Sequence, residues 1–277
     1  MPWPYLNAME KGTIQGRILS IAGSDSGGGA GIQADIKTII ALGAYAMTAV
    51  TAVTVQNTLG VSAVHAVPPE IVAAQIASVL GDIGADAIKT GMLVDAATIE
   101  AVTDAFDRSA GGIPLVIDPV MVAKGGAKLL DGRAVDALLR MINGRAALIT
   151  PNLAEAQVLS GRKITTEGEM RDAMPALLAT GARAVLLKGG HLEGDEVVDM
   201  FGDGNVTRVW RSPKIATRHT HGTGCTLASA IATGIAQGLD LVAAIERARH
   251  YVRHAIETAP GLGKGHGPLN HGFPLKD

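Results

Sequence analysis

The sequence predicts an α/β fold built on one mostly parallel β-sheet. Apolar runs of strand length alternate along the chain with longer helix-like segments, which is the pattern of successive β-α units. Hydrophobic residues make up 47% of the 277 residues and aromatic residues only 3%, so the core must consist of Ala, Val, Ile and Leu. That mixture suits a buried parallel sheet covered by Ala-rich helices. We expect one domain over residues 17–277 after a loosely ordered extension at 1–16, because α/β domains reach roughly 250 residues.

Each element follows from a local pattern. Residues 17–22 form an apolar strand, and the isoleucines at 32, 36, 39 and 40 recur at helical spacing in a helix over 32–42. Pro68, Pro69 and Glu70 suit the first turn of the next helix. The predicted strands are 17–22, 45–55, 85–89, 115–118, 146–149 and 184–188, with a hairpin of 197–201 and 206–210. The predicted helices are 32–42, 68–80, 96–106, 132–142, 152–159, 167–179, 224–237 and 241–257.

Charge and cysteine content narrow the class of function. The net charge of −2 is too small for a protein that binds nucleic acid or a membrane surface, so a small-molecule ligand is expected. Cys225 is the only cysteine, which excludes an intrachain disulfide and fits a cytoplasmic protein. The first 16 residues lack the apolar region of a signal peptide. Residues 38–69 carry no Asp, Glu, Lys or Arg, but glycines and polar residues interrupt them, so no membrane span is predicted.

Polar residues stand where several predicted strands end. Ligands of an open parallel sheet bind beyond the carboxyl ends of its strands, so these residues are candidates for a site, although any one of them could be a solvated loop residue. They are Asp25, Gln56, Lys89, Asp118, Asn152, Glu155 and Lys188.

Residues 23–31 form a glycine-rich turn between a strand and a helix, a context in which backbone N–H groups can hold an anion. The glycines do not fit G-x-G-x-x-G, and no acidic residue occurs between Lys37 and Glu70 to hold a ribose hydroxyl. The turn also lacks the Gly-Lys-Ser/Thr ending of a P-loop. A Rossmann dehydrogenase is therefore disfavoured, and an ordinary tight turn remains the alternative.

A second glycine turn, residues 221–225, precedes a helix rich in small residues. Its first-turn amides have no intrahelical partner, and Gly222 and Gly224 allow a phosphate to approach the backbone closely. Cys225 is either a small buried hydrophobe or, through the lowered pKa that a helix N-terminus favours, a thiolate that orients a hydroxyl proton. His219 and His221 lack the third ligand of a metal site.

Lys188 ends a strand before two glycines, so its ammonium could reach a nucleotide phosphate, although a surface lysine is the alternative. Asn152 and Glu155 lie three residues apart at a helix start. They could hold waters around Mg²⁺ or form a capping box, which has the same spacing.

Taken together, the motifs resemble those of the hydroxymethylpyrimidine/phosphomethylpyrimidine kinases of thiamine biosynthesis. The resemblance covers about residues 18–271, with the motifs in the family's order. They lie at 23–35, 55–58, 89–93, 118–121, 150–155, 187–191, 221–225 and 266–271.

The resemblance implies a ribokinase-like α/β/α fold and a homodimer. It also implies use of ATP and Mg²⁺, with a monovalent cation possible, and two successive phosphorylations of hydroxymethylpyrimidine. Substrate contacts would come from Asp35, Gln56, Met92, Val120 and Gly23. Lys188, Asn152 and Glu155 would serve the ATP phosphates, Asp118 and Glu155 would hold the metal through water, and the catalytic group would be Gly222, Thr223, Gly224 and Cys225.

Two other functions are weighed against this one. A pyridoxal kinase would act on a similarly sized hydroxymethyl heterocycle, but Gln56 favours the aminopyrimidine because an amide offers both a donor and an acceptor. A nucleotide-binding sensor without catalysis is disfavoured by the presence of Lys188, the anion-binding turn and Cys225.

Overall fold

The computed structural model describes residues 14–121 and 132–275. Within them, a single sheet has the strands β1 Arg17–Ser24, β2 Tyr45–Asn57, β3 Gly60–Ala66, β4 Ala87–Thr90, β5 Leu115–Ile117, β6 Ala146–Ile149, β7 Val185–Gly189, β8 Glu196–Gly202 and β9 Thr207–Pro213. The helices are α1 Gly31–Ala41, α2 Pro69–Asp82, α3 Ala96–Ser109, α4 Gly132–Ile142, α5 Leu153–Ser160, α6 Glu167–Leu178, α7 Thr223–Ala236 and α8 Leu241–Glu257. Residues 1–13 of the predicted extension lie outside the described residues.

The sheet is mostly parallel, as predicted, with antiparallel strands at both edges. Its order is β3-β2-β1-β4-β5-β6-β7-β8-β9. The six central strands, β2, β1, β4, β5, β6 and β7 in sheet order, pair in parallel. The strands β3, β8 and β9 pair antiparallel with their neighbours. The predicted hairpin around residues 202–205 is confirmed as β8 and β9.

Helices cover both faces of the sheet, so the architecture is the three-layer α/β/α arrangement. Successive residues of β1 point to opposite faces, and accordingly Leu19 and Ile21 belong to one apolar cluster and Ile18 to the other. The first cluster packs under α2 to α6, and the second under α1, α7 and α8. None of the helices in the described ranges is long and apolar enough to cross a bilayer.

The edge strand β3 was not predicted. Five of its seven residues are exposed, so its sequence shows no alternation between a buried and a solvated face. It extends β2 into a hairpin whose tip lies at Asn57 and Gly60. That hairpin carries Gln56 to the edge of the sheet where the parallel strands end.

Candidate functional site

The glycine-rich turn after β1 is held by the carboxylate of Asp25. Asp25 accepts hydrogen bonds from the backbone N–H groups of Gly27, Gly29 and Ala30 at 2.8, 3.0 and 2.8 Å. Burial of Asp25 would raise its pKa, but His221 and these amides outweigh burial and lower it. Asp25 is therefore an ionised acceptor that shapes the turn from inside.

The two glycine turns pack against each other. A Cβ atom at Gly222, whose φ is +83°, would overlap the carbonyl oxygen of Gly29, and one at Gly29 would lie 2.6 Å from His221 Cδ2. His221 Nε2 lies 2.9 Å from Asp25 Oδ2. Two segments separated by 196 residues thus form one surface, which sequence reasoning treated as two separate turns.

Gln56 joins this surface from the β2–β3 hairpin. Its side-chain amide lies 3.1 Å from His221 Nε2 and 3.2 Å from Thr54 Oγ1, and its backbone exchanges hydrogen bonds with the Ser26 hydroxyl. The hairpin tip is covered by the C-terminal segment, where His266 donates its backbone N–H to the Thr58 carbonyl at 2.8 Å. Gln56 is thereby fixed beside the glycine turns.

Asp35 corrects one expectation, because it does not face the site. Its side chain is 0% exposed and makes a salt bridge to Lys89, which is also 0% exposed, with Nζ and Oδ2 2.9 Å apart. It also accepts hydrogen bonds from the hydroxyls of Ser20 at 2.6 Å and Ser229 at 2.7 Å. Asp35 lies beneath the site and is unable to touch a pyrimidine in this geometry.

Cys225 bears on the two alternatives stated for its thiol. It stands in the first turn of α7 and is partly exposed. Burial raises the pKa of its thiol to about 11, and the Asp35 and Asp118 carboxylates add to this rise, whereas Lys89 and the Gly31 amide oppose it. A thiol with its pKa raised in this way is mostly neutral at neutral pH.

Lys188 and Asp118 lie together beside the second glycine turn, residues 221–225. Lys188 Nζ donates to Asp118 Oδ1 at 2.8 Å, and the Thr150 hydroxyl donates to the same oxygen at 3.0 Å. A Cβ at Gly224 would lie 3.3 Å from Lys188 Nζ and 3.4 Å from Asp118 Oδ2. Burial disfavours the ammonium of Lys188, but Asp118 and Glu155 outweigh it and raise its pKa. Gly224 therefore leaves open space in front of a fixed cation and a carboxylate oxygen.

Asn152 and Glu155 form the capping box of α5. Asn152 Oδ1 accepts the Glu155 N–H at 3.0 Å, and Glu155 Oε2 accepts the Asn152 N–H at 2.8 Å. Burial raises the pKa of Glu155 to about 7, with Asp118 adding to the rise and Lys188 opposing it. The structural role is thus present, and the predicted nucleotide role of these residues stays a prediction.

The apolar candidates lie at the same edge. A Cβ at Gly23 would lie within van der Waals overlap of the Met92 methyl group, so the absence of a side chain at 23 leaves room for Met92. Met92 and Val120 are partly exposed, as residues that line a pocket can be. Sequence reasoning missed Thr54, Ser20 and Ser229, since single hydroxyl residues inside apolar runs give no signal.

Among the described residues, no group of three or more His, Cys, Asp or Glu side chains could hold a metal ion by itself. Asp118 and Glu155 nevertheless supply two carboxylates that sense each other's charge, and oxygen ligands are those that Mg²⁺ prefers. The donor set fits Mg²⁺ bound jointly by protein and phosphate.

Comparison with known proteins gives concordant results. The sequence profile described as phosphomethylpyrimidine kinase matches residues 25–270. The chain is 51% identical over 263 residues to the thiamine biosynthesis bifunctional protein ThiED of Geobacter sulfurreducens, covering 95% of this chain but only 54% of that protein. It is 49% identical over 256 residues to the hydroxymethylpyrimidine/phosphomethylpyrimidine kinase of Rhizobium meliloti, covering 91% and 96% of the two chains. A solved pyridoxal kinase of Bacillus subtilis in complex with ADP superposes with a TM-score of 0.86 at 37% identity, covering 94% and 99%.

Proposed function

The chain belongs to the phosphomethylpyrimidine kinase family, and from this we propose that it transfers the γ-phosphoryl group of ATP to hydroxymethylpyrimidine and then to the resulting monophosphate. The enzyme is a kinase that acts in thiamine biosynthesis. The observation that carries the proposal is the junction of the two glycine turns with Gln56 on one side and Lys188 with Asp118 on the other. A heterocycle-recognising amide and a phosphate-binding cation thus flank one set of backbone amides.

The residues of the site divide the chemistry between them. The amides at the start of α7, with Gly222, Thr223 and Gly224, stabilise the charge that spreads over the transferring phosphoryl oxygens. Lys188 binds a nucleotide phosphate. Gln56, Met92, Val120 and the backbone at Gly23 hold the pyrimidine, and Cys225 orients its hydroxymethyl group as a neutral thiol.

Asp118 and Glu155 would hold Mg²⁺, and Asn152 positions Glu155 through the capping box. Bound there, Mg²⁺ would neutralise charge on the phosphate oxygens. A bound monovalent cation is a further part of the proposal.

The same proposal includes a cytoplasmic homodimer. The β2–β3 hairpin supports it, because Val53 and Val55 are 52% and 59% exposed on a hairpin with no charged residue. Exposed apolar patches mark protein–protein contact surfaces. Light scattering, which measures molar mass, tests this proposal. We expect the mass of a dimer for the wild type and a larger fraction of monomer for Val55→Lys.

Product analysis tests the catalytic proposal. The protein is incubated with ATP and Mg²⁺ and with hydroxymethylpyrimidine, pyridoxal or ribose, and mono- and diphosphate are separated by chromatography. We expect both phosphates of the pyrimidine and far slower turnover of the other two alcohols. A preference for pyridoxal would favour the pyridoxal kinase alternative. Pyridoxal is included because the chain superposes on the Bacillus subtilis pyridoxal kinase. ATP binding without turnover would indicate a nucleotide sensor.

A further inference from the structure

The orientation of the Gln56 amide determines what it offers to a ligand. One of its two terminal atoms faces His221 and the other faces Thr54. The oxygen accepts hydrogen bonds and the nitrogen donates them, yet the two atoms are nearly isosteric. The identity of each atom therefore follows from what its neighbour can donate or accept.

Thr54 can only accept a hydrogen bond from Gln56. Its hydroxyl lies 2.7 Å from the Ser24 carbonyl oxygen, and a carbonyl oxygen accepts only. A hydroxyl has one hydrogen, which is used in this bond. The Gln56 atom on the Thr54 side must then be the NH₂ group.

His221 leads independently to the same orientation. Its Nε2 lies 2.9 Å from Asp25 Oδ2, and Asp25 already accepts three backbone N–H groups as an ionised carboxylate. Nε2 must carry a hydrogen to bond with it, so Nε2 has no lone pair with which to accept from a Gln56 NH₂ group. Only the Gln56 oxygen can make a favourable contact there, by sharing the single Nε2 hydrogen with Asp25 in a three-centre bond. The structure places the Gln56 nitrogen on the His221 side, an orientation in which neither contact is a hydrogen bond. Turning the amide by 180° makes the Thr54 contact a hydrogen bond and lets the Gln56 oxygen share the His221 hydrogen.

We propose that His221, held by Asp25, and Thr54 are positioning residues that fix Gln56 with its oxygen towards His221 and its NH₂ towards Thr54, and that this polarity selects a 4-aminopyrimidine over a 4-oxopyrimidine. The oxygen retains one lone pair and the NH₂ one hydrogen for the substrate. An exocyclic amine beside a ring nitrogen matches this pair, whereas a 4-oxo group beside a ring N–H presents the opposite pattern. Because the hydroxymethyl group must point at the phosphate turn, the ring is not free to turn over and restore the match.

The inference rests on the proposed function, and its test measures substrate selectivity. The ratio of kcat/KM for hydroxymethylpyrimidine to that for its 4-oxo analogue is compared in the wild type, His221→Leu and Thr54→Val. Each variant frees the amide to turn, so we expect the ratio to fall about tenfold, the size of one mismatched hydrogen bond, with a smaller change in kcat on the amino substrate. His221→Gln, which restores an N–H at similar reach, should recover the ratio. His65→Leu, an exposed position on β3, should leave it unchanged.

Three outcomes would overturn the inference. One is an unchanged ratio in both His221→Leu and Thr54→Val, even if turnover falls, because that shows a structural role alone. Another is a His221→Gln protein that behaves as the leucine variant does. If His221→Leu does not fold, an unchanged ratio in Thr54→Val is decisive by itself. A wild type that phosphorylates neither pyrimidine would instead contradict the proposed function.

Discussion

At the residue scale, Cys225 stands in the first turn of α7 with a thiol whose pKa is raised. Its pKa of about 11 leaves very little thiolate at pH 7. On the proposed function, positioning and charge stabilisation by the α7 amides supply most of the rate enhancement.

We predict that Cys225→Ala slows the first phosphorylation more than the second. The alcohol must lose a proton and needs an oriented partner, whereas the monophosphate is already anionic. A loss of about tenfold is expected for the alcohol, below the 10²–10⁴-fold of a true general base. Separate turnover assays with alcohol and monophosphate measure it, and equal losses in both would contradict the assignment.

The buried pair of Lys89 and Asp35 leads to a prediction about stability. Lys89→Met leaves the Asp35 charge without its cation in a fully buried position, so the free energy of unfolding should fall by about 3–5 kcal/mol. Urea denaturation measures it. Arg17→Met, which breaks the exposed pair with Asp86, should cost much less, because solvent screens that pair. Addition of Asp35→Leu to Lys89→Met should recover much of the loss, and no recovery would mean that Lys89 acts through packing.

At the element scale, the start of α7 depends on Gly222 having no side chain. Gly222→Ala should reduce kcat/KM for ATP by at least about 10²-fold, because the new methyl group pushes the phosphate turn away from Gly29. Gly238→Ala is the matched control at the other end of α7. It has a similar φ of +84° but no atom within 4 Å of the added Cβ, so it shares the backbone strain without the clash. Equal losses of activity in the two variants would show that strain alone matters.

Local signals were sufficient for most elements but not for all of them. Asn152 with Glu155 predicted a helix start and forms a capping box, and the prolines at 68 and 69 open α2. Periodicity and caps act within a few residues, which explains this success. Strand β3 gave no such signal, because its residues do not alternate between apolar and polar. Its pairing with β2 stabilises it instead.

At the scale of the whole molecule, the C-terminal segment ties α7 to the rest of the fold. His271 is buried, with Nε2 3.0 Å from the Thr226 hydroxyl, and its backbone carbonyl accepts from Tyr251. Burial lowers the pKa of His271 to about 4, and Lys37 adds to this lowering.

This pKa predicts a loss of stability in mild acid. The unfolded chain takes up a proton at His271 near pH 6.5 but the folded chain only near pH 4, so stability is fully present above pH 6.5 and falls as pH drops towards 4. The free energy of unfolding should decrease by about 1 kcal/mol between pH 7.5 and 5.5 on this account. Denaturation of His271→Gln at both pH values measures the effect, since this variant should lose that part of the pH dependence. An identical pH dependence in the variant would exclude His271 as its source.

The site was predicted in part, for a reason that lies in topology. Residues at strand ends could be assigned to one edge of the sheet because parallel strands align their carboxyl ends. The contact of His221 with Asp25 and Gln56 could not, since 196 and 165 residues separate the partners. The sequence left open whether Cys225 is a buried thiol or a thiolate and assigned Asp35 to the substrate, because burial depends on the packing of distant segments.

The contact of residues 263–268 with the hairpin tip and His221 has a consequence for synthesis on the ribosome. The segment that covers the β2–β3 hairpin is translated about 200 residues after it. At about 5–20 residues per second, an apolar hairpin without charged side chains waits on the order of 10–40 s for that cover. Nascent chains of this enzyme should therefore be clients of ribosome-associated chaperones until residues 263–268 have been translated.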